Sequence, residues 1–176
     1  VHLNRVFRKE GWITIKDELG LEQIDCGASK VFAIADHQVA HIYINDPSIK
    51  DTVEATLAAT EGVELILDGE EKAAEGIDHE RSGDLIAVAD KDSWFTYYYW
   101  EDDAVAPDFA RCVDIHRKIG YDPVELFFDP AIAFPKLRVA KLLLKKKLGM
   151  RTLLDVIPLD ANLVKGSHGR RPESQE

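Results

Sequence analysis

The sequence predicts an α/β protein, α+β in part, and three observations carry that prediction. Between Lys30 and Ala89 short β-rich runs alternate with short helical stretches. A long, proline-punctuated stretch without clear periodicity follows, with prolines at 107, 123, 130 and 135. After it, Lys136–Leu148 shows the spacing of an amphipathic helix and ends at Gly149.

Taken in order, His2–Glu10 reads as a short helix with Leu3, Val6 and Phe7 on one side and Gly11 closing it. Trp12-Ile13-Thr14-Ile15 is β-rich and predicts a strand; Gln23-Ile24-Asp25 is a weaker one. The runs 31–35 and 39–44 flank Asp36-His37-Gln38, the pattern of a hairpin or a kinked pair. Asp46 then caps a helix with Pro47 in its first position and Ile49, Val53 and Leu57 as its apolar stripe. Strand 63–67, a short polar helix 69–75 and strand 85–89 complete the unit. Its order, from Val39 to Ala89, resembles a split βαβ lobe, too small for a doubly wound domain and expected to sit as a cap on a larger sheet.

Trp94–Trp100 puts six aromatics into seven residues and is expected to be a strand buried on both faces, with a sugar- or base-stacking platform as the alternative. Between Lys136 and Arg151 there are seven basic residues and no acidic one. That reads as a solvated helix face, with docking of an anion or an acidic neighbour as the sharper alternative. The expected division is 1–30 (helix and strands joining a core), 31–92 (the α+β cap lobe), 93–169 (a core segment) and 170–176 (a flexible tail).

Composition narrows the partners. The chain has 176 residues, 45% hydrophobic and 31% charged, which is ordinary for a globular domain with its own core. A net charge of −10 disfavours a nucleic-acid duplex. No apolar run approaches the roughly 18 to 20 residues of a spanning helix, so no membrane partner is expected. Cys26 and Cys112 make neither a zinc knuckle nor a disulfide framework and read as reduced thiols, which favours a cytoplasmic location.

Four groups are candidates for chemistry. Gly166-Ser167-His168-Gly169 holds a histidine between small residues that permit close backbone approach, a setting for a metal ligand. Asp36-His37 ends a strand, where adjacent side chains diverge and offer one oxygen and one nitrogen to two neighbouring metal ions, zinc accepting both; a turn aspartate beside an exposed histidine has the same sequence. His116 and Arg117 lie in the irregular stretch beside Lys118, where a guanidinium fork suits a substrate phosphate, and pairing with the nearby acidic run is the structural alternative. His41, inside an apolar run, reads as a satisfied core or interface histidine. The sequence has no GxSxG elbow, Walker loop or HExxH helix, and no Ser or Thr in the setting of an activated nucleophile.

Ile157-Pro158-Leu159-Asp160 leading to Lys165-Gly166-Ser167-His168-Gly169 resembles the C-terminal end of the alkaline phosphatase superfamily, in its type I phosphodiesterase/nucleotide pyrophosphatase branch. The stretches 32–41, 94–100 and 114–127 resemble a bacterial subgroup of that superfamily. The resemblance implies a mixed sheet between helices, two divalent ions (zinc), a Thr or Ser nucleophile and His168 as the last metal ligand. It does not carry over to Asp36-His37, since the family's Asp-His pair precedes a glycine and Gln38 stands there. On this reading the chain is the C-terminal part of an alkaline-phosphatase-like fold. Its expected partners are a phosphate-ester substrate and the N-terminal half of its own polypeptide, which would hold the nucleophile. The competing expectation is a non-catalytic binding or assembly module.

Overall fold

In the first helix, α1 (Leu3–Lys9), Leu3, Asn4 and Phe7 turn inward. The cations Arg8 and Lys9 close it, a placement favoured by the helix dipole. The computed structural model describes residues 1–114 and 116–171. Next come β1 (Ile15–Glu18) and β2 (Leu21–Ile24), an antiparallel pair. The expected strand at 12–15 is therefore displaced: only Ile15 joins the ladder. Trp12 is instead a core residue, and its carbonyl accepts from the Lys30 amide.

The central sheet is antiparallel in the order β3-β4-β6-β5, with β3 Val31–Asp36, β4 Val39–Ile44, β5 Val63–Leu67 and β6 Leu85–Ala89. Between β4 and β5 lie a 3-10 turn at Pro47–Ile49, capped by the Asp46 side chain, and α2 (Lys50–Ala58). The short α3 (Gly69–Ala74), with a capping box from Asp68 and Glu71, precedes β6. β6 then inserts between β4 and β5, which is the split βαβ arrangement.

Strand alternation decides which face is core. Val31, Ala33 and Ala35 of β3, Ala40 and Ile42 of β4, and Leu85, Ala87 and Ala89 of β6 meet Leu3 and Phe7 of α1 and Val53 and Leu57 of α2. Each large side chain buried there contributes roughly 1.5–3 kcal/mol. On β3, whose far edge has no strand neighbour among the described residues, the Asn4 amide takes a partner strand's place. It donates to the Ala33 carbonyl (2.9 Å) and accepts from the Ala33 amide (2.8 Å).

Trp94–Trp100 is buried along its whole length but joins no strand, which corrects the expectation. Its backbone groups find scattered partners instead of a ladder: the Phe95 amide donates to the His37 carbonyl, the Thr96 amide to Val1, and Arg8 to the Tyr99 carbonyl. The rings of 97–100 form a second core with Phe109, Ile15, Ile24 and Leu159. α4 (Pro135–Lys147) occupies the predicted place, yet none of its residues is buried. Among the described residues no helix is long and apolar enough to cross a membrane. Of the expected tail, 172–176 lie outside the described residues; Arg170 forks onto Glu64 and Arg171 pairs with Glu75.

Candidate metal centre

The β3–β4 hairpin has only His37 and Gln38 between its strands, with Asp36 paired to Val39. So short a loop calls for positive φ, and His37 adopts +58°. Three anchors hold this turn. The Phe95 amide donates to the His37 carbonyl at 2.7 Å. The buried Gln38 amide donates to the Asp90 and Ser93 carbonyls at 2.9 and 3.0 Å. The Gln38 backbone N–H donates to the His168 carbonyl at 3.0 Å, tying the hairpin to a loop 130 residues later.

The glycines of that loop have a steric reason. A Cβ on Gly166 would stand 2.6 Å from the Lys91 carbonyl oxygen. One on Gly169, at φ +106°, would stand 2.8 Å from Val39 Cγ2. With both side chains absent, the loop lies against the hairpin and delivers His168 beside His37, their ring centroids 3.8 Å apart.

One ligand atom each from Asp36, His37 and His168 lies within 4.8 Å of the others. Asp36 and His168 are exposed and His37 is half-buried, so the cluster faces solvent at the rim of the sheet. The His37 Nδ1 bonds the Ser167 hydroxyl at 2.6 Å, which leaves Nε2 as its ligand atom. Burial holds the His37 imidazole below its ordinary titration range; neighbouring His168 adds to that and Asp36 opposes it. A neutral imidazole is the form that binds metal. One carboxylate and two imidazoles within one ion's reach make a donor set that fits zinc and leaves a coordination position open. The Tyr121 ring stands 5.9 Å from His37, on a strap whose Gly120 bridges Ala35 of β3.

Of the five residues singled out in the sequence, the fold brings three together. Arg117 is engaged elsewhere: it donates to Asp108 at 2.7 Å and lies over the Phe109 ring at 5.1 Å. His116 is exposed, and neighbouring Ile115 lies outside the described residues. His41 is satisfied as expected, accepting from the Gly83 amide at 3.2 Å. Sequence reasoning gave neither Gln38 nor Tyr121 a place at the site. A buried glutamine beside a turn histidine was the available signal for the first; nothing local marks the second.

Comparison with family models matches residues 1–122 to type I phosphodiesterase / nucleotide pyrophosphatase, a span that takes in Asp36 and His37 and ends before the His168 loop. Comparison with curated proteins and with solved structures gave no match. The matched span covers well over half of the 176 residues, and the chain belongs to the type I phosphodiesterase / nucleotide pyrophosphatase family.

Proposed function

We propose that this chain is the C-terminal segment of a metal-dependent phosphodiesterase or pyrophosphatase, supplying a cap lobe and a metal-binding triad of Asp36, His37 and His168. The observation that carries the reading is the approach of three donors to within 4.8 Å although one comes from the far end of the chain. A zinc ion held there would polarise a phosphoryl oxygen or activate a bound nucleophile. The chain's own groups do the preparation. Ser167 orients His37, burial keeps that ring neutral, and Gly166 and Gly169 allow the close approach of His168. His116 and Arg117 are proposed to meet the substrate phosphate, with Arg117 exchanging Asp108 for it. A second ion and the attacking hydroxyl would come from the N-terminal half of the same polypeptide.

Calorimetric titration of the chain with zinc tests this reading. His168→Ala and Asp36→Asn should each weaken binding by at least about tenfold, a loss no smaller than that for removing a ligand's supporting partner. Wild-type chain that binds zinc no better than His168→Ala would leave the triad without a metal role and favour the assembly-module reading.

A further inference from the structure

α4 carries an apolar stripe on the side turned away from the protein. Leu137, Leu144 and Leu148 are 68%, 58% and 67% exposed. At 100° per residue they fall within about 40° of one another on the helix surface. Val139, about 160° from the centre of that stripe, instead faces the body and lines a cavity of about 220 Å³ with Leu126, Phe128 and Ile157. The helix thus rests on the protein by one side and presents leucines with the other. Exposed Phe134 and Met150 (73% and 47%) prolong the apolar surface beyond both helix ends.

The cations are arranged around this stripe. Lys136 and Lys147 border it on one side, and Lys141 and Lys145 on the other. No acidic residue lies between Lys136 and Arg151, and among the described residues only Arg138 of this segment's cations has a carboxylate partner, Asp155. Elsewhere the balance is reversed: the rest of the chain holds 15 of the 22 cations and all 32 acidic residues. With a screening length of about 8 Å at physiological salt, a surface meeting α4 senses the local cations rather than the net charge.

We propose that α4 docks this protein on an anionic lipid surface, with its leucine stripe in the headgroup–acyl boundary and the flanking lysines at the phosphates. An apolar face bordered by lysines on both sides is the pattern of helices that lie in a membrane interface, where the lysine stems reach outward from the buried stripe. A second copy of α4 would set lysines against lysines. A protein groove would need acidic rims along both borders, whereas a bilayer offers anions on every side of an inserted stripe. The expectation of no membrane partner rested on the lack of a spanning run, and a helix lying in the interface needs none. This inference is independent of the metal-centre reading.

Co-sedimentation of the 176-residue chain with vesicles tests it, comparing 30 mol% phosphatidylserine in phosphatidylcholine with phosphatidylcholine alone. The chain should pellet with the anionic vesicles and be released by raised salt. Lys141→Gln/Lys145→Gln should weaken partitioning roughly thirtyfold, and Leu144→Glu/Leu148→Glu should abolish it. Leu19→Glu, in the distant β1–β2 turn, should leave binding unchanged, and circular dichroism should show all variants folded. The proposal is overturned if the chain stays in the supernatant, if it binds both vesicle types alike, or if Leu19→Glu is as damaging as the helix variants. It is equally overturned if the leucine variants dissociate an oligomer of the chain while vesicles recruit nothing.

Discussion

Replacing Gly120 by alanine should damage the fold out of proportion to the one carbon added. The Gly120 φ is +125°, beyond the left-handed helical well, and its Cβ would stand 2.3 Å from the Ala35 carbonyl oxygen and 3.0 Å from the Ala35 nitrogen. Both obstacles are backbone atoms of a central-sheet strand, so no rotamer change relieves them. Backbone strain costs about 1–3 kcal/mol. Losing the 2.9 Å bond from the Tyr121 amide to the Ala35 carbonyl adds about 1 kcal/mol. A total of about 2–4 kcal/mol is a large share of the 5–15 kcal/mol typical of a native domain, and should lower the melting temperature by roughly 10 °C in a chain of this size. Gly11→Ala is the control: its φ is +73° with nothing within 4 Å of the added carbon. Strain alone should then cost about 1 kcal/mol, a shift of roughly 2–4 °C. Thermal unfolding followed by circular dichroism compares the two directly. Equal melting temperatures for both variants would refute the claim that Gly120 is required by contact with β3.

Two further outcomes follow from buried polar groups. Asn4→Leu removes both bonds to Ala33 and leaves a buried amide and carbonyl unpaired, a loss of about 2–4 kcal/mol in urea unfolding; a near-neutral result would mean that the Ala33 edge finds water instead. The pH dependence of stability combines two opposed groups. His2 is pushed down to about 4, chiefly by burial and next by Arg5 and the amino terminus. The unfolded chain therefore takes up that proton first, so its contribution of about 3 kcal/mol is full above the ordinary value of 6.5 and is lost as pH falls toward 4. Asp122 is pushed up to about 6, chiefly by burial and against the pull of Lys118. The folded chain keeps that proton, so its similar contribution is full below pH 4 and is lost as pH rises through 6. His2→Asn should accordingly gain stability on acidification from pH 6 to 4, and Asp122→Asn should lose it. Urea unfolding of both variants across that range checks the pair, and slopes identical to wild type would show that neither group titrates as described.

Which parts could be read in advance follows from the range of the forces involved. The hairpin around His37, the Asp46 cap and the β4-α2-β5 unit with β6 are specified by neighbours a few residues apart, through alternation, turn chemistry and helix caps. Trp94–Trp100 misled because aromatic density signals burial, and burial is what those residues have. A strand also needs an aligned partner, and here Val1, Arg8 and His37 take the backbone groups singly. For α4 the leucine spacing marked an apolar face but not what meets it, and the body meets the Val139 side of the helix instead.

By itself the sequence determined the helices, the central strands, the hairpin that carries Asp36 and His37, and the candidacy of His168, since all of these rest on local pattern. Only the tertiary structure decided that His168 stands beside His37, that Arg117 belongs to Asp108, and that the leucines of α4 face outward. Those outcomes depend on contacts between distant segments. Backbone carbonyls at Lys91 and Ala35 accept Gly166 and Gly120 at separations no side chain would permit, and no local periodicity records where the chain will meet itself.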